Sequence, residues 1–166
     1  MKKYKNKEFT EIIKPILNID EFYELKKISH HGITRYNHSL RVAYYTYLIT
    51  KKLHLNYKEA TIAALLHDFF TDEVADESSV FKLRRHPNHA LENASKYVKL
   101  SDMQKDIIKT HMFPVTFTPP KYTESWIVDI IDDCASIYER SYTIKKQLSA
   151  AGTFLLLIVV NFLKYR

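Results

Sequence analysis

Apolar residues recur three and four positions apart along most of this chain, the spacing that places them on one face of an α-helix. The clearest such pattern follows Thr34, a residue type that caps helix N-termini, and continues to about Leu53. Its apolar stripe consists of Leu40, Ala43, Tyr44, Tyr47 and Leu48. The spacing therefore predicts a long amphipathic helix over this segment.

Seven further helices are predicted from the same periodicity and from helix start signals. They cover about 8–17, 20–29, 57–69, 87–98, 101–111, 123–142 and 144–163. Asp20, Asn56 and Ser101 stand where N-caps are expected, and Pro87 suits a first helical turn.

Two segments interrupt the helical pattern. Residues 70–85 are polar and charged, and residues 112–122 contain three prolines that exclude a regular helix. With only two glycines and no Asn-Gly or Asp-Gly hairpin signal, the chain does not favour a sheet-rich fold. The sequence therefore predicts one all-α domain over residues 1–166, a bundle of seven to eight helices.

Glycine content and charge limit the classes of function. Because Gly32 and Gly152 are the only glycines, no glycine-rich phosphate-binding loop can form. The net charge of +6 comes from the two ends, since residues 8–144 hold 17 lysines and arginines against 19 acidic residues. A slightly acidic body lacks an extended basic track, so no specific nucleic-acid binding is expected.

Cysteine content and the chain ends bear on location. Cys134 is the single cysteine, which excludes an intramolecular disulfide, and the first residues lack the apolar segment of a secretory signal, so a cytoplasmic protein is expected. The apolar segment 148–163 is shorter than the roughly 20 residues that span a bilayer. A core helix or homodimer interface is favoured for it over peripheral membrane contact, but the sequence leaves this choice open.

Residues that commonly ligate metals recur in order along the chain. They fall in the segments "YNHSLRV", "LLHD", "RRHPNHA", "KTHMFP" and "IIDDCASIYE". The candidates are His38, His67, Asp68, His86, His111 and Asp132. Most stand at predicted helix ends, where side chains from different helices can meet in one cleft. Asp133 competes with its neighbour Asp132, because adjacent helical residues point about 100° apart.

This ordered set resembles the H…HD…H…H…D pattern of the HD-domain metal-dependent phosphohydrolases, over about residues 30–140. The resemblance implies an all-helical HD domain in which one divalent metal is bound by His38, His67, Asp68 and Asp132. The Glu139 spacing, seven residues on, favours Asp132 over Asp133.

The two-metal branches of the family include the HD-GYP cyclic-dinucleotide phosphodiesterases. There the equivalent of Asp68 bridges two ions, and His86 and His111 match the histidines that hold the second. One or two ions are therefore expected, and iron, manganese or zinc suits mixed imidazole and carboxylate ligation.

The resemblance also implies a reaction, the hydrolysis of a phosphoester or phosphoanhydride, with Asp68 and the metal at its centre. A phosphorylated, nucleotide-like small molecule is the expected substrate. Arg41, three residues after His38, and Arg85, next to His86, are candidates for orienting its phosphate.

Two alternatives stay open, and a departure from the family pattern bears on the first. Many HD proteins carry glycine and lysine where this chain has Phe70 and Thr71, so the phosphate-facing lysine is absent. The first alternative is a non-catalytic sensor module that binds metal and nucleotide without turnover. The second is a di-iron oxygenase-type HD protein.

Overall fold

The computed structural model describes residues 4–30, 32–70 and 80–164, and its architecture is all-α, as predicted. The α-helices of the described chain are α1 (Lys7–Leu17), α2 (Asp20–Glu24), α3 (Arg35–Lys52), α4 (Tyr57–Leu66), α5 (Val80–Tyr97), α6 (Asp102–Thr110) and α7 (Thr123–Lys164). A 3₁₀ turn (Leu25–Lys27) and a small antiparallel hairpin, β1 (Ser29–His30) and β2 (Ile33–Thr34), connect α2 to α3. Among the described residues, no helix carries an apolar stretch long enough to cross a membrane.

Side-chain caps fix the starts of three helices. Asn6 and Thr34 accept hydrogen bonds from the backbone N–H of the third residue of α1 and α3, at 3.0 and 3.2 Å. Ser101 and Gln104 form a reciprocal capping box at the start of α6. The predicted Thr34 and Ser101 caps are therefore confirmed.

Of the other two predicted caps, Asp20 is wrong, and Asn56 is confirmed in position only. Asp20 is the first residue of α2, and the N-cap position belongs to Ile19, which has no side-chain oxygen. Asn56 occupies the N-cap position of α4, but its side chain donates to Glu59 instead of accepting from the backbone. The predicted helix 20–29 is also too long, because the chain tightens into the 3₁₀ turn and then reverses at Gly32, whose φ is +85°.

Helix α4 ends at Leu66, three residues before the predicted end, so His67 and Asp68 follow the helix directly. Both remain buried, because the turn after the helix folds back onto the core. Phe69 N donates to Leu66 O at 3.0 Å, which closes this turn.

Helix α5 begins at Val80, inside the predicted loop, and continues through Pro87, which was expected in its first turn. A proline inside a helix removes one backbone hydrogen bond. Here Pro87 is buried on the same face as Ala90 and Ala94, so packing maintains the helix. Residues 71–79 of the predicted loop, including Thr71, lie outside the described residues.

Helix α7 is a single helix where two were predicted. No proline or glycine stands between residues 124 and 151, so no residue in this stretch disrupts its hydrogen bonding. The backbone of the apolar segment belongs to α7, but the side chains of residues 150–164 lie outside the description. The choice among core, homodimer interface and membrane contact therefore stays open.

The core forms where α3 and α4 pack against each other and against α6 and α7. Its fully buried side chains include Val42, Leu65, Leu66, Ile107 and Val128. Burying each contributes about 1.5–3 kcal/mol of hydrophobic free energy. Leu48, the last residue of the predicted apolar stripe, is 40% exposed and does not belong to this core. The same packing brings together inward-facing polar residues of these helices.

Candidate metal centre

Six side chains from five parts of the fold converge in the interior of the bundle. They are His38 of α3, His67 and Asp68 after α4, His86 of α5, His111 after α6 and Asp132 of α7. All are buried except His86, which is partly exposed. These six residues, called the cage below, are the six that the sequence predicted as ligands.

One side of the cage centres on Asp132. Its Oδ1 lies 2.8 Å from His38 Nε2 and 3.5 Å from His67 Nε2. His67 Nε2 also lies 3.8 Å from Asp68 Oδ2. Asp133, the competing candidate, is exposed on α7 and belongs to none of the potential metal groups among the described residues.

The other side of the cage contains two histidines. Asp68 Oδ1 lies 3.5 Å from His86 Nε2 and 3.8 Å from His111 Nε2, and these two nitrogens are 2.9 Å apart. Asp68 therefore directs one carboxylate oxygen toward each side of the cage, which is the arrangement of a bridging ligand.

Hydrogen bonds at Nδ1 orient three of the four imidazoles. His67 and His111 each donate from Nδ1 to the carbonyl three residues earlier, at 2.7 Å, and His38 donates to Glu139 Oε2 at 2.9 Å. Each bond leaves Nε2 directed into the cage. Metal-binding histidines are commonly held in this way by a carbonyl or carboxylate.

The donor set fits a divalent cation. Ligand bonds of about 2.0–2.2 Å place neighbouring ligand atoms roughly 3 to 3.5 Å apart around one ion. The atoms of each potential group, drawn from the six cage residues, lie within 4.8 Å of one another. Within the described part of the chain, the buried His67 Nε2 forms no well-aligned hydrogen bond, and its nearest carboxylate oxygen, Asp132 Oδ1, is 3.5 Å away, an arrangement that a metal bond would improve.

Burial and neighbouring charges set the protonation of the cage. Burial lowers the pKa of His38, but its hydrogen bonds to Asp132 and Glu139 outweigh burial and raise it to about 10. Burial raises the pKa of Asp132, yet the adjacent His67 and His38 hold it well below its ordinary value. Burial and nearby histidines lower the pKa of His111 to about 3. A cation between His38 and Asp132 would therefore displace a proton, whereas neutral His111 can donate its Nε2 lone pair directly.

The two predicted arginines are not part of the cage. Arg41 donates to Glu139 Oε1, and its guanidinium lies 5.3 Å from the ring centre of Tyr138. Glu139 contacts the Nδ1 side of the His38 ring, whereas Nε2 of that ring is directed into the cage. Arg41, bound to Glu139, therefore lies on the side of His38 that is turned away from the cage. Arg85 is exposed on α5 beside His86. The phosphate contacts predicted for both arginines stay predictions.

Sequence reasoning missed the role of Arg35, which is buried beside Asp68. Its Nη1 donates to Phe70 O at 2.9 Å, and its Nε lies 3.9 Å from Asp68 Oδ2. The guanidinium also stacks over the Phe70 ring at 3.7 Å. Arg35 precedes His38 by three residues, and Arg41 follows His38 by the same spacing. The helical periodicity that identified Arg41 could therefore have identified Arg35 as well.

Sequence reasoning also used Glu139 only as a spacing mark. In the structure this buried carboxylate joins His38 to Arg41 and so supports a cage residue. Only the packing of α3 against α7 shows this role.

A comparison with protein families places the cage in a known context. The family model described as the HD domain matches residues 35–137, which include all six cage residues. No curated protein and no solved structure shows a significant match to the chain.

Proposed function

The chain belongs to the HD-domain family, and on this basis we propose that it is a metal-dependent phosphohydrolase that cleaves a phosphoester or phosphoanhydride bond in a nucleotide-like small molecule. The observation that carries the proposal is the position of Asp68. Its two oxygens approach the two sides of a buried histidine cage, as expected of a carboxylate shared by two ions.

In this proposal His38, His67, Asp68 and Asp132 hold one divalent ion, and Asp68, His86 and His111 hold a second. Such ions supply a water nucleophile at neutral pH and neutralise the charge of a phosphate under attack.

Residues around the ligands keep the cage in shape. Glu139 fixes the ring of His38 through Nδ1. Arg35 fixes Asp68, because its guanidinium is held between the Phe70 carbonyl, the Phe70 ring and the Asp68 carboxylate. Buried groups of this kind limit the ligands to one geometry, and their loss commonly weakens metal binding.

Charge supports a small substrate over a polymer. Residues 8–144 carry a slight excess of acidic groups, so an extended phosphate backbone would meet no continuous basic track there. A single phosphate group needs only local cations, and exposed Arg85, next to His86, is the cation we assign to it.

The test is phosphate release from a panel of nucleoside mono-, di- and triphosphates and dinucleotides, with manganese, iron or zinc supplied. We expect turnover by the wild type and its loss in Asp68→Asn, which removes one ligand charge without changing the side-chain size. Asp133→Asn is the matched control, because it neutralises an exposed carboxylate outside the cage. Equal activity in the wild type and Asp68→Asn would contradict the proposal.

One observation favours a second candidate, the non-catalytic module that binds metal and nucleotide. Phe70 stands where many HD proteins carry glycine, and its ring stacks on His86 with a centroid distance of 5.4 Å and contacts Arg35. The ring thus covers one edge of the cage, and it directly precedes in sequence the position where the phosphate-facing lysine is absent. Saturable nucleotide binding without phosphate release from any compound of the panel would support this candidate over the enzyme.

A further inference from the structure

A cavity of about 640 Å³ lies beside the N-terminal half of α3. Its lining consists of Tyr4, Lys26, Ile33, Tyr36, Asn37, Leu40 and Arg41. None of the six cage residues belongs to this lining. The volume falls within the range of about 300–1,000 Å³ that is typical of small-molecule sites.

The polar groups of this lining can donate hydrogen bonds to an anion. Lys26 and Arg41 supply two cations, Tyr4 and Tyr36 two phenols, and Asn37 a carboxamide, and none of the described lining residues carries a carboxylate. Within the described chain, Lys26 contacts the rings of Tyr23 and Tyr36, at 3.5 and 4.6 Å, and no ion pair neutralises it. The cavity therefore carries a positive charge that is incompletely compensated.

Arg41 can contribute although it already contacts Glu139. Its Nη1 donates to that carboxylate, and a guanidinium has five N–H donors in a fixed fork. Glu139 thus fixes the guanidinium at the wall of the cavity, so a ligand does not have to order a mobile side chain. Tyr4 is held on the same wall, because its ring packs on Tyr44 with a centroid distance of 4.8 Å.

The remaining lining is apolar and aromatic. Leu40 is buried, Ile33 is partly buried, and the Tyr36 ring packs against Phe22 in the core. Rings and aliphatic side chains of this kind accommodate the flat or apolar body of a ligand, while a few polar groups fix its orientation.

We propose that this cavity is a second small-molecule site, separate from the metal cage, which binds an organic phosphate or phosphonate. Lys26 and Arg41 contact the anionic group of this ligand, and Tyr36 and Leu40 contact its apolar body. This site does not depend on the proposed phosphohydrolase activity. A carboxylate of the same shape would satisfy fewer donors, because it has two acceptor oxygens where a phosphate has three.

The test is calorimetric titration of the full chain with phenylphosphonate, which combines an aromatic body with an anionic group that resists hydrolysis. Asp68→Asn is used as the background, so that binding to metal ions does not contribute; chelator-treated wild-type protein replaces it if that variant does not fold. We expect saturable binding of about one molecule per chain and none of benzamide, which lacks the negative charge.

Two exposed lysines provide a matched pair of variants. Lys26→Met removes a cation from the cavity, whereas Lys27→Met removes one that pairs with Glu24 and does not line it. Loss of a charge-assisted hydrogen bond should weaken phenylphosphonate binding about tenfold or more in Lys26→Met. Lys27→Met should bind as tightly as the background protein.

Three outcomes would overturn the second site. They are no saturable binding in the Asp68→Asn background, equal affinity in the two lysine variants, and equal binding of phenylphosphonate and benzamide. Failure of the phosphohydrolase panel would leave the result unchanged, since the titration needs neither metal nor turnover.

Discussion

The cage histidines depend on acceptors that lie outside the cage, and Glu139 is the one whose charge can be removed alone. Its Oε2 accepts from His38 Nδ1, and Oε1 accepts from Arg41. A carboxylate behind a metal-binding imidazole fixes the ring and increases the basicity of the ligating nitrogen. Glu139 is therefore a positioning residue for His38.

We predict that Glu139→Gln weakens metal binding by roughly 10- to 100-fold, measured by competition with a chromogenic chelator. The amide can still accept the His38 hydrogen bond, but it loses the negative charge and the ion pair with Arg41. Asp133→Asn, an exposed acidic-to-amide change on the same helix, should leave the affinity unchanged. Equal affinities in both variants would show that Glu139 does not act on His38.

Metal stoichiometry tests the two sides of the cage separately. We predict about two metal ions per chain in the wild type under metal-replete conditions, and about one in His86→Ala, measured by elemental analysis. His86 contacts Asp68 and His111 only on the second side, so the first should keep its ion. His89→Ala is the control, because His89 lies one turn further along α5 and belongs to no potential metal group of the described residues. One ion per chain in the wild type would instead indicate a single-metal centre.

At the scale of helices, the start of α6 shows how a local signal determines structure. Ser101 Oγ accepts from Gln104 N at 3.2 Å, and the Gln104 side chain accepts from Ser101 N at 3.0 Å. Ser101 Oγ also donates to Glu59 of α4. The cap thus ties the start of α6 to α4.

We predict that Ser101→Ala lowers the free energy of unfolding by about 1 kcal/mol, measured by urea denaturation. Ser95→Ala is the matched control. That serine is exposed and donates to the carbonyl of Leu91 within α5, so its removal leaves no helix end uncapped. A loss in Ser101→Ala no larger than in Ser95→Ala would mean that water replaces the cap.

A helix boundary could be predicted from the sequence where the residues that fix it lie next to it in the chain. The starts of α3 and α6 each depend on a cap residue that accepts from the backbone N–H three residues later, and the sequence predicted both. Helix α5 continues through Pro87, which is buried against the core, and no local sequence pattern contains this packing. The local pattern therefore predicts a helix start at Pro87, with His86 at that helix end, whereas both residues lie inside α5.

The candidate site shows the same division. The order of its histidines and aspartates along the chain identified six residues that the fold brings together, although their metal binding stays a prediction. The contacts behind them were not foreseen. Arg35 reaches Asp68, and Arg41 reaches Glu139, through packing between elements far apart in sequence.

At the scale of the whole molecule, one cluster attaches the N-terminal helix to the body of the bundle. Glu8 of α1 accepts from Tyr47 of α3 and Tyr57 of α4, both at 2.7 Å, and from Lys51 of α3. These hydrogen bonds, above all the one from Lys51 and then those from the two tyrosines, lower the pKa of Glu8 to about 2. Protonation of this single carboxylate would weaken contacts that link three helices.

We predict that this cluster makes the free energy of unfolding decrease as the pH is lowered from the ordinary carboxyl pKa of 4.5 to the lowered pKa of about 2. Because the folded state holds the charged form, the contribution is fully present above the window and is lost as pH falls through it. Urea unfolding at pH 6, 4 and 2.5 should therefore show a difference between wild type and Glu8→Gln that shrinks toward low pH. Glu11→Gln, exposed on the same helix, should follow the wild type. A wild-type advantage over Glu8→Gln that is independent of pH would mean that shape and neutral hydrogen bonds, not the Glu8 charge, attach α1 to the bundle.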